Sequence, residues 1–184
     1  VIHKGDVGDF EYSLMRPHAV IKAGNNSYSY DSRGNQVDRP DVTIGYASFD
    51  KPRFVIRKDN SETTTYYYDS DNHRSLKLTN NQATLYVDGS FQADLTLGSE
   101  GAKISSYRYH IHAEGEVVST ITRSPQIQNL TSWSMSQNYL HGNHLGSITK
   151  LTDIDGNVVQ SREYDVFGKL ISETDDLTNI LVTH

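Results

Sequence analysis

The chain has 184 residues and a formal net charge of −6, with 17 basic side chains against 23 acidic ones. That balance argues against a general binder of nucleic acid or anionic membrane, which needs a basic face to exploit phosphate charge. Only 35% of the residues are hydrophobic, yet 12 are tyrosine and none is cysteine, so disulfide scaffolds and thiolate metal sites are excluded. Tyrosine packs its ring on neighbouring strands and keeps its hydroxyl at water, which favours β-structure with wide, partly wet faces. No apolar run approaches the roughly 20 residues of a membrane span, and Val1-Ile2-His3-Lys4-Gly5 has no signal-peptide pattern.

The first organised unit is Tyr28-Ser29-Tyr30-Asp31-Ser32-Arg33-Gly34-Asn35. Tyr28 and Tyr30 are two apart, so both rings stand on one face of a strand. Asp31 can accept a hydrogen bond from the backbone two residues on and start a turn. Gly34 and Asn35 tolerate the left-handed conformations of tight turns, and Val37 re-enters a strand. The unit returns around Tyr68-Asp69 and again as Tyr164-Asp165-Val166-Phe167-Gly168-Lys169. Its spacing is uneven, which suits a chain of similar hairpins better than a solenoid of fixed period.

Between these units the alternation continues. Val42, Ile44 and Tyr46 share a face, Arg53 to Arg57 reads as a strand entered after Pro52, and Thr63 to Tyr68 is strongly β-prone. Ala83–Val87 and Phe91–Leu95 flank Asp88-Gly89, a hairpin signal, and Lys103–Ala113 and Val117–Thr122 flank Glu114-Gly115 in the same way. No 3.6-residue period stands out. Ser124 to Asn138 is polar, contains Pro125 and carries the lone Trp133 beside Met135. It reads as an irregular insertion anchored on the sheet by Trp133, with ligand stacking as that ring's second possible role.

The most specific stretch begins at Tyr139. Tyr139-Leu140-His141-Gly142-Asn143-His144-Leu145-Gly146-Ser147 resembles the His-x-Asp-His-Leu-Gly-Ser signature of the Rhs-associated core. Leu151-Thr152-Asp153-Ile154-Asp155-Gly156-Asn157 follows, and Tyr164 to Lys169 looks like the Tyr-Asp-Pro-Phe-Gly element of the same family. By these ordered elements the chain is identified as a member of the Rhs/YD-repeat family, the C-terminal part of the Rhs core. Arg16-Pro17-His18-Ala19-Val20 and Leu85-Tyr86-Val87-Asp88-Gly89 also look like the family. Asn143 stands where the family has an acidic residue and Val166 where it has proline. The family's self-cleavage segment has no counterpart here, so no autoproteolytic aspartate is carried over.

The resemblance implies an all-β fold, a succession of antiparallel β-hairpins forming a curved, extended sheet over residues 1–184. It assigns structural signature roles to Tyr30, Asp31, Gly34, Tyr68, Asp69, His141, His144, Leu145, Gly146, Tyr164, Asp165, Phe167 and Gly168. It also implies a bacterial, secreted or cell-surface location, as a wall segment of a shell enclosing a C-terminal toxin. The partners would be the remainder of the parent chain and its toxin domain, with self-association of the excised segment through unpaired strand edges. The alternative is a module that binds carbohydrate or a cell surface, motivated by the tyrosines and Trp133.

Other groups invite chemistry without supporting it. On Tyr107 to Ala113 the alternation puts Arg108, His110 and His112 on one face, and Arg108 disfavours a cation there. For His141 and His144 the family offers hydrogen bonds that fix the turn before Leu145-Gly146. Asp153 and Asp155 sit where turn-forming aspartates belong, and Asp175-Asp176 lies in a polar tail. No nucleophile elbow or phosphate loop is present. The expectation is a non-enzymatic scaffold with no catalytic residue, cofactor or metal.

Overall fold

The computed structural model describes residues 2–126 and 129–175, and within them every helix or strand is a strand. The chain, expected as one β segment, divides into two compact units, Val1–Thr84 and Leu85–His184.

The first unit opens with a four-stranded antiparallel sheet: β1 (His3–Lys4), β2 (Gly8–Tyr12), β3 (Val20–Ala23) and β4 (Asn26–Ser27). Then come β5 (Ser29–Tyr30), β6 (Gln36–Asp38), β7 (Val42–Tyr46), β8 (Pro52–Arg57), β9 (Thr63–Tyr68) and β10 (Arg74–Leu78). Each of these pairs antiparallel with the next. Ile44 lies opposite Val55, and Val55 opposite Thr64, which joins three β-branched side chains across three strands. Gly45 has a packing role, since a Cβ there would lie 2.2 Å from the Phe54 ring. Its absence lets that ring lie across β7. A further strand, β11 (Gln82–Val87), runs across the boundary between the units.

The second unit runs through β12 (Phe91–Gly98), β13 (Gly101–Ala113), β14 (Glu116–Gln126) and β15 (Asn129–Gly142). It continues with β16 (Ile148–Thr152), β17 (Val158–Tyr164) and β18 (Leu170–Asp175). Neighbours in space are again neighbours in sequence, and every pairing is antiparallel. Two-residue hairpin loops fall where the sequence puts them: Glu114 and Gly115 both have positive φ, as do Asp88 and Gly89. The register sets Tyr107, Tyr109 and Ile111 on the opposite face from Arg108, His110 and His112, as their alternation requires.

Little is deeply buried in either unit. Among the described residues the most enclosed side chains are Ala23, Val42, Ala83, Ala93 and Ser119, and no large side chain is fully buried. Cohesion therefore comes from cross-strand pairs and backbone ladders more than from an oily core.

The irregular insertion expected over 124–138 is corrected by the structure. The β14–β15 ladder passes through it, pairing Arg123 with Met135, Ser124 with Ser134 and Pro125 with Trp133. Its polarity hides an alternation in which serines at 132, 134 and 136 interleave with Trp133, Met135 and Gln137. Pro125 is tolerated because the β13 pairing of β14 ends at Arg123, leaving this stretch with a single neighbour strand.

Candidate functional site

The residues picked out by the sequence converge on a repeated turn. At Asp31, Asp69, Asn143, Asp153 and Asp165 one side-chain oxygen accepts from the backbone N–H groups two and four residues on. For Asp31 these come from Arg33 and Asn35, both at 2.9 Å. For Asp69 they come from Asp71 and His73, at 2.9 and 2.8 Å. Asn143 receives Leu145 and Ser147 at 2.9 and 3.1 Å, and Asp165 receives Phe167 and Lys169 at 2.8 Å each. Asp153 receives Asp155 and Asn157 at 3.0 and 2.8 Å. The backbone closes each loop, as when the Asp31 N–H donates to the Asn35 carbonyl at 2.9 Å.

The fourth residue of each loop has positive φ, 97° at Gly34 and 62° at Asn72, which is why glycine or asparagine stands there. The Asp31 carboxyl is held below the usual carboxylate range by the Asn35 side chain above all. Desolvation is the next largest influence and pushes upward, and the backbone amides of Asn35, Arg33 and Gly34 add to the lowering. Asp153 is lowered in the same manner, with the Asn157 side chain the largest cause.

Next to the turn, tyrosine acts as a clamp. The Tyr30 hydroxyl donates to the Val20 carbonyl at 2.8 Å, Tyr68 to Pro52 at 2.5 Å and Tyr164 to Ile148 at 3.0 Å. Pro52 and Ile148 are the first residues of their strands, so the hydroxyl ties the end of one strand to the start of its neighbour. Tyr46 does the same to the Gln36 carbonyl at 3.1 Å, a role the sequence reading missed. Its turn, Ala47–Lys51, closes like the others, with Ala47 N–H to Lys51 O at 2.8 Å. The tyrosine before a five-residue turn was the available signal, obscured because alanine replaces the aspartate.

In the first unit successive turns are tied sideways. Arg33 reaches the Ser48 carbonyl and pairs with Asp50 at 3.0 Å, while the Asn35 amide donates to Asp50 at 2.9 Å. Asn35, then Arg33, hold the Asp50 carboxyl below its ordinary value. Lys51 donates to the Asn72 carbonyl at 2.6 Å. Arg16, from the family-like Arg-Pro-His stretch, donates to the carbonyls of Asp31 and Ser32, both at 2.6 Å.

The histidines divide their work differently from expectation. Asn143 fixes the turn before Leu145-Gly146, its amide oxygen doing what a carboxylate does elsewhere. His141 instead bonds Thr152 on β16 at 2.9 Å, and His144 is exposed on the crown of the turn. Gly146 and Gly168 fill the positive-φ positions, while Leu145 and Phe167 project outward, 72% and 82% exposed. Burial, then Arg108 and His112, push the His110 imidazole below its usual range. Among the described residues no group of three or more acidic, histidine or cysteine side chains is placed to hold a metal. Asp175 accepts from the Gln160 amide at 2.6 Å, and Asp176 lies outside the described residues.

Trp133 is half-buried and stacks on Tyr107 with ring centroids 5.3 Å apart and 18° between planes. Phe91 contacts both Tyr107 and Tyr109, at 5.7 and 5.1 Å. The tryptophan thus ends a row of rings running from β12 through β13 to β15.

No protein-family model matches the chain, and no curated protein matches it in sequence. Among solved structures, a chain described as TcdB2-TccC3-TEV matches with a TM-score of 0.62 and 15% identity, over 91% of this chain and 10% of its own. A chain of TcdB2-TccC3-Cdc42 gives a TM-score of 0.42 at 14% identity, over 90% of this chain and 11% of its own. The present chain spans about a tenth of the structures it matches. The first likeness shows the fold: an all-β arrangement of antiparallel hairpins shared with that chain.

Proposed function

We propose that the chain is a non-enzymatic wall segment of a secreted bacterial shell of the Rhs/YD type, which encloses or presents a C-terminal toxin. The observation that carries this reading is the recurrence of one device, the Asx turn with its tyrosine clamp, in both units. The side-chain oxygen that opens the turn and the tyrosine hydroxyl before it are both spent on backbone groups, which suits a repeat that builds wall. The fold it shares with a chain of the TcdB2-TccC3-TEV structure supports the same reading.

Among the described residues β18 lies at the edge of its sheet, which adds to this reading. All its residues are exposed, its described partner is β17 alone, and Ile171 and Val166 nearby are 65% and 88% exposed. A further hairpin laid on that edge would satisfy its backbone groups and cover these side chains. The excised chain is accordingly expected to self-associate, and a dispersed monomer by analytical ultracentrifugation would count against the edge argument.

The test of the function is made on the full-length parent protein. Electron microscopy should show a hollow particle, and limited proteolysis should spare the C-terminal segment until the particle is opened with denaturant. A parent whose C-terminal segment is digested at the same rate in both states has no enclosing wall.

A further inference from the structure

The first unit contains a groove of about 380 Å³ between the Ala47–Lys51 turn and the end of β9. That volume lies within the roughly 300–1,000 Å³ typical of small-molecule sites. Its lining includes Tyr46, Phe49, Arg53, Tyr66 and Tyr68, and no carboxylate. Two of the rings are held in place by their hydroxyls, Tyr46 on the Gln36 carbonyl and Tyr68 on the Pro52 carbonyl. Phe49 meets Tyr68 edge to face at 5.1 Å. The aromatic walls are therefore set before any ligand arrives.

The charge around this groove runs against that of the chain. The Arg53 side chain is exposed, and among the described residues its guanidinium makes no hydrogen bond or ion pair. The Lys51 ammonium lies 6.0 Å from the Tyr68 ring centroid, and the Arg74 guanidinium 4.5 Å from that of Tyr66. Two acids of the flanking turns are engaged: Asp50 with Arg33 and Asn35, Asp69 with the amides of its own turn. A chain of net charge −6 thus has an aromatic groove with a cationic rim and an uncommitted guanidinium.

We propose that this groove binds an acidic pyranose, a hexuronic or sialic acid residue of a glycan. The C–H face of the sugar would stack on the tyrosine rings, and its carboxylate would take the fork of Arg53. Aromatic walls favour a sugar over an acidic peptide side chain, which offers a carboxylate without a ring face. The proposal stands on the groove and does not depend on the shell reading, so either can fail alone.

Saturation-transfer NMR on the whole chain tests it with four probes: methyl β-glucuronide, the methyl glycoside of N-acetylneuraminic acid, methyl β-glucoside and N-acetylglutamate amide. The acidic sugars should bind with Kd on the order of 1 mM. Methyl glucoside should bind at least about tenfold more weakly, for want of the charged hydrogen bond. R53Q should bring the glucuronide to the glucoside level without changing Tm, since Arg53 holds nothing in place, and added NaCl should weaken only the acidic sugars. Equal binding of glucoside and glucuronide, unchanged binding by R53Q, equal binding of the glutamate derivative, or no saturation transfer at about ten times the expected Kd would each overturn it.

Discussion

The turns Asp31–Asn35 and Ala47–Lys51 have the same backbone and different chemistry. Both close through an N–H of the first residue to the carbonyl of the fifth, and both hold the fourth residue at positive φ, Gly34 at 97° and Asp50 at 60°. Asp31 supplies a carboxylate that gathers two amides of its own loop. Ala47 supplies nothing, and that loop leans instead on Arg33 and Asn35 from the turn beside it. The shape of the loop is thus separable from the group that pins it. What the two turns share is the preceding tyrosine, Tyr30 or Tyr46, clamped to a carbonyl on another strand. Between these two turns the clamp is the constant part and the aspartate is replaceable, whereas the turns at Asn143 and Asp153 keep the side-chain acceptor behind Gly142 and Thr152, without a tyrosine.

That ranking is open to a direct break at the third turn of the row. Tyr68 carries both the ring contact with Phe49 and the hydroxyl bond to Pro52. Tyr68→Ala should cost about 3 kcal/mol through lost packing, and Tyr68→Phe about 1 kcal/mol through the lost hydrogen bond alone. Urea midpoints measure both. A Tyr68→Phe variant as stable as the wild type would reduce the clamp to a packing ring.

A smaller effect sharpens the comparison from the other side. Ala47→Asn should give the second turn the acceptor it lacks, receiving the N–H groups of Phe49 and Lys51 as Asn143 receives those of Leu145 and Ser147. Asparagine is the better choice because an aspartate would add a second carboxylate to a five-residue loop that already carries Asp50. Thermal unfolding should show a gain of about 0.5–1 kcal/mol. A loss would mean that the lateral ties from Arg33 and Asn35 already fix a geometry the new side chain disturbs.

The hairpins were legible in the sequence because their signals are local. Thr63 to Tyr68 forms β9 as its β-propensity demands, and Glu114-Gly115 turns where two left-handed residues must stand. The turn role of Asp31 was readable because an aspartate bonds its own backbone two residues on. The clamps were not readable, since Tyr68 to Pro52 spans 16 residues and depends on strand register, which no single strand encodes. The stretch around Trp133 was read as an irregular insertion for a related reason: its alternation with serines looks like loop until β14 is laid beside it. The groove at Arg53 needs three separate segments to meet, and nothing in any one of them announces it.

The finest distinction between the two turns is electrical. The Asp31 carboxyl lies below its ordinary value, first through the Asn35 amide and then through backbone N–H groups. A carboxyl depressed on folding adds stability that is full above its unfolded pKa, about 4, and is lost as pH falls through the depressed folded value. Asp31→Asn keeps an oxygen for the amides of Arg33 and Asn35 but loses the charge and the Asn35 side-chain bond at 3.0 Å. The variant should therefore trail the wild type at pH 7 and draw level with it as the pH drops below about 4. The difference between their urea midpoints carries the information, because carboxyls other than Asp50, which feels the Asp31 charge, titrate alike in both. Ala47→Asn introduces no charge, so its gain should not change over the same range. If the Asp31→Asn gap persisted unchanged to pH 3 and below, the turn would owe its strength to hydrogen-bond geometry, and the two loops would differ in acceptor count alone.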